Sequence, residues 1–359
     1  MADRVRFGIV GAGMMGREHI RNLLLFPQAE IVALADPTPA SLASASKAAR
    51  TPVATYATAQ EMLASTPVDA VIVASPNFTH RAVLEPLFAA GVHILCEKPL
   101  CTTLPDAQWA VDQANAHKGV FWTGMEYRFM PPAARFIEQI AAGKIGRMVS
   151  LSIREHRFPF LQKVGDWNRF AANTGGTMVE KCCHFFDLMR VITGSEAVRV
   201  FCSGAMDVNH LDERYGGRVP DIIDNSFTVV DFANGQRALL DLNMFADGSE
   251  EQEEIVAVGD QAKLEAFIPS GNLVFSPRVG FMNPKTPQTL HVPVDEAALK
   301  AGSHHGATYY QLEAFLAAVA GTGPVQVTAA DGLAAVAIGT AAEISARERR
   351  VVLMSELAA

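Results

Sequence analysis

The sequence predicts an α/β chain: an N-terminal doubly wound parallel sheet, then an α+β domain with an open, mostly antiparallel sheet. Three observations predict it. Strand-like apolar runs alternate with helical periodicity through the first third of the chain. A glycine-rich turn sits between the first strand and the first helix. From about Met148 the pattern changes to successive strands joined by turns. Strands alternating with helices imply parallel pairing, whereas strands joined directly by turns imply antiparallel pairing.

The chain has 359 residues, the length of about two domains at roughly 100–200 residues each. The expected units are residues 1–125 and 126–359, with the final helices packing back on the first unit. Hydrophobic residues make up 49% of the chain, enough for a sizeable core, and the formal charge is −8. General nucleic-acid and membrane-surface binders carry a basic field, so neither partner is expected. Met1-Ala2-Asp3-Arg4 leads directly into an apolar strand, so no secretory leader is expected. The apolar runs are too short for a membrane span. Five cysteines (Cys96, Cys101, Cys182, Cys183 and Cys202) form an odd set without framework spacing. Reduced thiols and a cytoplasmic location follow as the simpler reading.

Val5 to Val10 reads as a buried strand, followed at once by Gly11-Ala12-Gly13-Met14-Met15-Gly16 and a helical pattern over Arg17 to Phe26. A second strand, Glu30 to Ala35, ends in Asp36. This is the context a dinucleotide fingerprint requires. Gly11 permits the tight turn, Gly13 lets backbone approach a pyrophosphate, and Gly16 lets the helix pack close to the strand. The helix N-terminus, with Met14 and Met15 in its first turn, offers free N–H groups to phosphates. Asp36 suits both ribose hydroxyls and repels a 2′-phosphate, and Pro37 to Ser41 supply no Arg or Lys. The expected cofactor is therefore NAD rather than NADP, and the first unit is a Rossmann domain.

The alternation continues. Helices are expected at Ala43 to Ala49, Glu61 to Ser65, Arg81 to Ala90 and Trp109 to His117; strands at Val68 to Ala74, Val92 to Cys96 and Val120 to Trp122. Ligands of such sheets sit at the carboxyl ends of the strands. Ser75, Pro76, Asn77 and His80 lie at one such end, and Glu97, Lys98 and Pro99 at another.

The second unit is expected to carry strands at Met148 to Phe158, Val198 to Val208, Phe227 to Phe232, Gln236 to Phe245, Ile255 to Val258, Ala262 to Phe267, Leu273 to Phe275 and Leu290 to Val292. Helices are expected at Glu180 to Thr193, Gly306 to Ala320 and Ala329 to Arg347. Asn234-Gly235 is a strong hairpin turn signal. The acidic run Ser249 to Glu254 reads as a solvated turn or strand edge. An open sheet with one helix-free face buries that face against a partner, so a homodimer or homotetramer through this sheet is expected.

The segments GAGMMG, SPNFTH, CEKPL and GGTMVEKCCHFFDLM, in this order, resemble the glucose–fructose oxidoreductase / inositol dehydrogenase / MocA-like family. YYQLEAFLAAVAGTGPVQVTAADGLAAVAIGTAAEIS is similar to the family's C-terminal helices. The resemblance implies an oxidoreductase that transfers hydride between a nicotinamide cofactor and a secondary alcohol or ketone of a sugar or cyclitol. An inositol-type substrate is the best guess, on resemblance alone. It implies that Lys98 of Glu97-Lys98-Pro99 reaches both nicotinamide ribose and substrate, across a Lys98–Pro99 bond that is often cis in relatives. It implies that His184 is the general base. The family pattern Asp-x-x-x-His reads Glu180…His184 here, which leaves open whether the longer Glu180 orients His184 or binds substrate.

Residue chemistry points the same way. Residues four apart share a helix face, so Glu180 and His184 can point into one pocket. A histidine near neutral pKa suits removal of a hydroxyl proton, and Lys98 suits a developing alkoxide. Arg128, Arg157, Trp167, Asn168, Arg169 and Asn173 are candidate substrate contacts, because polyhydroxylated ligands need many donors and acceptors. His304 and His305 read as exposed loop residues. Cys182 and Cys183 read as small core residues, and no metal site is expected. Two other readings remain at this stage: a non-catalytic NAD-binding regulator or sensor, and an enzyme that holds its cofactor while two substrates recycle it.

Overall fold

The computed structural model describes residues 4–357; Met1 to Asp3, where the leader reading begins, lie outside them. Strands β1 (Val5–Val10), β2 (Ala29–Ala35), β3 (Ala54–Tyr56), β4 (Ala70–Val73), β5 (His93–Glu97) and β6 (Phe121–Gly124) alternate with helices α1 (Met14–Leu23), α2 (Pro39–Ala49), α3 (Ala59–Ser65), α4 (His80–Ala90) and α5 (Leu104–Ala116). The six strands form an all-parallel sheet in the order β3-β2-β1-β4-β5-β6, the dinucleotide-binding order of a doubly wound fold. Every residue of β4 is buried, as both faces of a parallel sheet should be under helices. The expected strands and helices are present with shifted ends. The short β3, which begins two residues after Pro52, was not expected.

The remainder runs α6 (Pro131–Ala141), β7 (Met148–His156), α7 (Ala171–Thr174), α8 (Thr177–Glu180), α9 (Cys183–Thr193), β8 (Ala197–Ala205), β9 (Asn225–Phe232), β10 (Arg237–Asn243), β11 (Glu253–Gly259), β12 (Ala262–Ile268), β13 (Asn272–Pro277), β14 (Gln288–His291), α10 (Glu296–Ala301), α11 (Ala307–Val319), α12 (Ala329–Glu348) and β15 (Val352–Leu353). Its nine strands form one sheet in the order β14-β13-β12-β11-β7-β10-β9-β8-β15. All pairs are antiparallel except β7 with β10. Asn234-Gly235 turns β9 into β10, with Gly235 at φ +83°, the left-handed conformation glycine tolerates.

One face of this sheet packs on helices. Leu240, Leu242, Ile255 and Leu264 bury against Phe136 of α6 and Phe185 and Phe186 of α9. The opposite face stays open: Phe201 pairs with Val229 and Ser203 with Phe227 in register, and Phe227 is 60% exposed. Helix α12 is long and apolar enough, by length and composition, to span a membrane, but half of that stretch is buried. It joins the two sheets: Gly332 sits against Leu100 and Thr123, and Gly339 against the backbone of Met178.

Two sequence expectations need correction. The helix expected over Glu180 to Thr193 is two pieces, interrupted at Lys181 and Cys182. The first piece is the short Thr177–Glu180 helix, capped by Gly176 at φ +90°, where a Cβ would strike the Glu343 carboxylate. The acidic run is not wholly solvated. Glu253 opens β11 with 1% exposure, because strand alternation turns it onto the helix-covered face.

Candidate functional site

The glycine loop connects β1 to α1. A Cβ on Gly11 would lie 2.4 Å from the Ala74 backbone, and one on Gly16 would lie 2.0 Å from Gly11 O. Gly13 has nothing within 4 Å of its Cβ position. Two glycines are thus imposed by packing, while the middle one faces open space where a phosphate can approach. Helix α1 begins without a side-chain cap, leaving its first N–H groups available, with Met14 exposed beside them and Met15 half-buried. At the end of β2 the Asp36 carboxylate accepts from Ala12 N and Thr38 N, each at 2.8 Å. These bonds hold the acid beside the glycine loop. The donor set fits a dinucleotide.

The carboxyl end of β4 supplies Ser75, Pro76 and Asn77. Asn77 is 6% exposed, and its Nδ2 is buried without a partner, a donor awaiting an acceptor. His80 is fully buried, with ring nitrogens 2.9 Å from Pro99 O and 3.1 Å from Ser75 O. It braces two cofactor-edge loops from behind. Burial depresses its pKa.

At the end of β5, Glu97 Oε1 lies 2.7 Å from His19 Nε2 of α1, both buried. The Lys98–Pro99 bond is cis. Lys98 Nζ donates to Glu180 O at 3.0 Å, so the lysine spans from the first sheet to the segment carrying Glu180 and His184. Glu180 Oε1 accepts from Lys163 Nζ at 3.3 Å, while Oε2 is buried and unpartnered. His184 is 2% exposed, and its Nδ1 is likewise buried without a partner. The imidazole stacks on Tyr127, centroids 4.0 Å apart and planes 9° apart. Burial first, then the positive charges of Lys98, Lys181, His304 and Arg157, push the His184 pKa well below its ordinary value. The imidazole is neutral at physiological pH, the form that can accept a proton.

The other candidates separate. Trp167 reaches the first domain, its ring 6.1 Å edge-on from Phe78, and Lys163 Nζ lies 4.6 Å over it. Asn173 donates to Trp167 O at 2.9 Å. Arg157 lies 3.6 Å from Glu155 and over the Phe158 ring. Asn168 donates to Leu161 O at 3.1 Å, with Oδ1 buried and unpartnered. Arg169 is tied to Glu213 at 2.8 Å. Arg128 forms a two-pronged ion pair with buried Asp187 and donates to Gln326 O at 2.8 Å. Its guanidinium therefore links α9 to the chain before α12, with its strongest donors already committed.

His304 is no free loop histidine. Its Nδ1 lies 2.8 Å from Glu18 Oε1 and 3.7 Å from Glu126 Oε1, and Glu126 with Glu18 raises its pKa to about 9 despite burial. Cys182 and Cys183 are fully buried. Burial lifts the Cys183 thiol to about 12, so it is no thiolate nucleophile. Among the described residues no three His, Cys, Asp or Glu side chains converge as metal ligands.

His19, Tyr127, Lys163, Lys181 and Glu126 escaped the sequence reading, and His304 was weighed only as an exposed loop residue. For Tyr127 a signal existed: it follows β6 on the carboxyl edge of the parallel sheet, where ligands gather. For the others partnership depends on residues distant in sequence.

A parallel sheet in dinucleotide order, a glycine loop built for phosphate, and a Lys–Glu–His cluster at its carboxyl edge define a nicotinamide-dependent oxidoreductase architecture. Residues 5–125 match the oxidoreductase family's NAD-binding Rossmann fold, and residues 137–354 match the same family's C-terminal alpha/beta domain. The chain belongs to this Gfo/Idh/MocA family. It is 30% identical over 341 residues to the rhizopine catabolism protein MocA of Rhizobium meliloti, covering 94% of each chain. It is 26% identical to a myo-inositol 2-dehydrogenase of Thermotoga maritima, covering 98% of this chain and 99% of the relative. The solved levoglucosan dehydrogenase in complex with NADH and levoglucosan shares the fold at TM-score 0.83 and 20% identity, over 98% of this chain and all of that one.

Proposed function

We propose that the protein is an NAD-dependent dehydrogenase acting on a secondary alcohol of a sugar or cyclitol, or on the matching ketone, with an inositol-like substrate the best guess. The observation that carries this reading is the Lys98–Glu180–His184 cluster, in which the Lys98 ammonium touches the Glu180 carbonyl and a buried neutral imidazole follows four residues on. Bound NAD would supply the hydride acceptor. His184 takes the hydroxyl proton as the C–H bond breaks and returns one in the reverse direction. Lys98 holds the substrate oxygen and stabilises its developing negative charge. The free Glu180 Oε2 favours a substrate-binding role over orienting His184, since a hydroxyl donor would satisfy it. Inositol dehydrogenases and MocA among the relatives support a polyol substrate.

The Asp36 carboxylate and the absence of a nearby cation favour NAD over NADP. Gly11, Gly13, Met14, Met15, Gly16, Asp36, Ser75 to Asn77 and Glu97 to Pro99 are the proposed cofactor contacts, with His80 bracing them. Trp167, Asn173 and Arg157 are the proposed substrate contacts. Residues 1–125 and 126–359 are taken as the cofactor and substrate units. Phe201, Phe227 and Val229 on the open sheet face favour association with a second copy, as a dimer or tetramer. Five free buried cysteines favour a cytoplasmic setting.

The test is NADH formation across cyclitols, aldoses and sugar acids, with NAD and NADP, on wild type and His184→Ala. Turnover with NAD that His184→Ala removes supports the reading and identifies the substrate class. Silence across the panel in protein that binds NADH favours the sensor reading instead.

A further inference from the structure

Behind His184 lies a buried cluster that the chemistry above leaves unused. Lys181 Nζ donates to Tyr127 Oη at 2.5 Å and lies 2.7 Å from Glu155 Oε1 of β7. Lys181 is 4% exposed, Tyr127 3% and Glu155 0%. The ammonium also sits 4.6 Å over the Tyr127 ring. Burying a charged group costs several kcal/mol even when paired, so the fold holds a lysine where an apolar side chain would serve packing at least as well.

His184 needs such support. A catalytic imidazole is ordinarily oriented by a carboxylate or carbonyl on its second nitrogen. Here Nδ1 has no hydrogen-bond partner, and the Oε1 of Glu180 is taken by Lys163. The contact that fixes the imidazole plane is the stacked Tyr127 ring, and the Tyr127 hydroxyl is in turn tied by Lys181.

We propose that Tyr127 and Lys181 are positioning residues for His184, the phenol ring setting the imidazole plane and the Lys181 ammonium locking the phenol against it. This rests on the dehydrogenase reading only for its effect on turnover. The charged groups facing His184 are Lys98 from the end of β5, Arg157 beyond β7, His304 before α11 and Lys181 itself. Lys181 faces Glu155, Glu253 of β11 and Arg157. Removing one cation from the set around His184 makes its protonation easier. Loosening the phenol frees the ring to rotate.

The test follows the His184 ring signals in ¹⁵N-histidine-labelled protein from pH 4.5 to 8.5, assigned by comparison with His184→Gln. Lys181→Met combined with Glu155→Gln removes the ammonium and its carboxylate partner together. Tyr127→Phe keeps the ring and cuts only its tether. Each variant is expected to shift the His184 ring signals and raise its titration midpoint by about half a unit, because an imidazole no longer clamped gains access to water that stabilises its charged form. With an identified substrate, each should lower kcat at least tenfold, leave KM within about threefold, and move the acid limb of the pH profile by the same amount. Unchanged ring shifts and midpoint in folded Tyr127→Phe overturn the proposal, even if the double variant does not fold. Because the titration needs no substrate, an inactive wild type would count against the dehydrogenase reading alone.

Discussion

Glu18 of α1 and His304 before α11 form a part-buried ion pair, 2.8 Å apart although 286 residues separate them in sequence. The pair ties the segment leading into the C-terminal helices to the helix that follows the glycine loop. Ser303 N and Thr308 Oγ1 also reach Glu18, and Thr308 Oγ1 lies 2.6 Å from Glu126.

This pair makes stability depend on pH in two windows. His304 is raised from 6.5 to about 9, so its contribution is complete below pH 6.5 and lost as pH rises through about 9. Glu18 is lowered from 4.5 to about 2, with His304 and Thr308 outweighing burial, so its contribution is complete above pH 4.5 and lost as pH falls through about 2. His304→Gln is expected to cost about 2–3 kcal/mol at pH 7, toward the low end for a broken buried pair because His304 keeps partial exposure. The difference in Tm from wild type should shrink by pH 9.5. An equal difference at pH 7 and 9.5 would contradict it.

Glu343 of α12 has the opposite sign. Its Oε1 accepts from Met178 N at 2.9 Å, yet burial raises its pKa to about 7. A carboxyl raised on folding favours the native state most below pH 4.5, and that advantage is lost as pH rises to about 7. Glu343→Gln should keep the backbone bond and stabilise the protein at pH 8 by about 1–3 kcal/mol, with little effect at pH 4.5. Urea titrations at the two pH values measure this.

Arg128→Ala should act on stability, not on substrate affinity. It leaves Asp187, which is 1% exposed, as an uncompensated buried carboxylate, a loss of about 3–5 kcal/mol. At a temperature where the variant remains folded, KM for the substrate should stay within about twofold. A tenfold rise in KM would instead place Arg128 in the pocket.

Asp36→Ala should raise KM for NAD by about 10–100-fold, equivalent to roughly 1.5–3 kcal/mol of charged hydrogen bonding, and narrow the preference over NADP. Lys98→Ala should lower kcat by about 100-fold or more while NADH binding, read by fluorescence, persists.

Much of the first domain was legible because its signals are local. Gly11-Ala12-Gly13-Met14-Met15-Gly16 and Asp36 lie within one βαβ unit, and strand and helix periods differ within a short window. The alternation predicts the parallel pairing of β1, β2, β4, β5 and β6, while the short β3 at the sheet edge left no such signal. Lys98 and His184 were visible as motif positions. What was not visible is the break between α8 and α9, since no proline or glycine stands at or beside Lys181 and Cys182 to announce it. His304 looked exposed because its partners, Glu18 and Glu126, belong to the other end of the chain. Lys181 was not singled out because nothing local announces Glu155.

The parallel β7–β10 pair has a consequence for how the pocket can change. In an otherwise antiparallel sheet, a parallel neighbour cannot be joined by a hairpin, so the chain leaves the sheet after His156 and crosses over to re-enter it at Ala197, from where β8 and β9 lead by antiparallel turns into β10. That crossover contains Lys163, Trp167, Glu180 and His184. Its first end is pinned by seven consecutive pairings of β7 with β10, Ser150 with Arg237 through His156 with Asn243, and its second by the pairing of β8 with β9. Loop-closure entropy grows only slowly with length, about 0.6 kcal/mol per doubling. Insertions or deletions near Trp167 can therefore reshape the mouth of the pocket while the sheet register and the glycine loop stay fixed, which makes this excursion the cheapest place for selection to retune what the protein accepts.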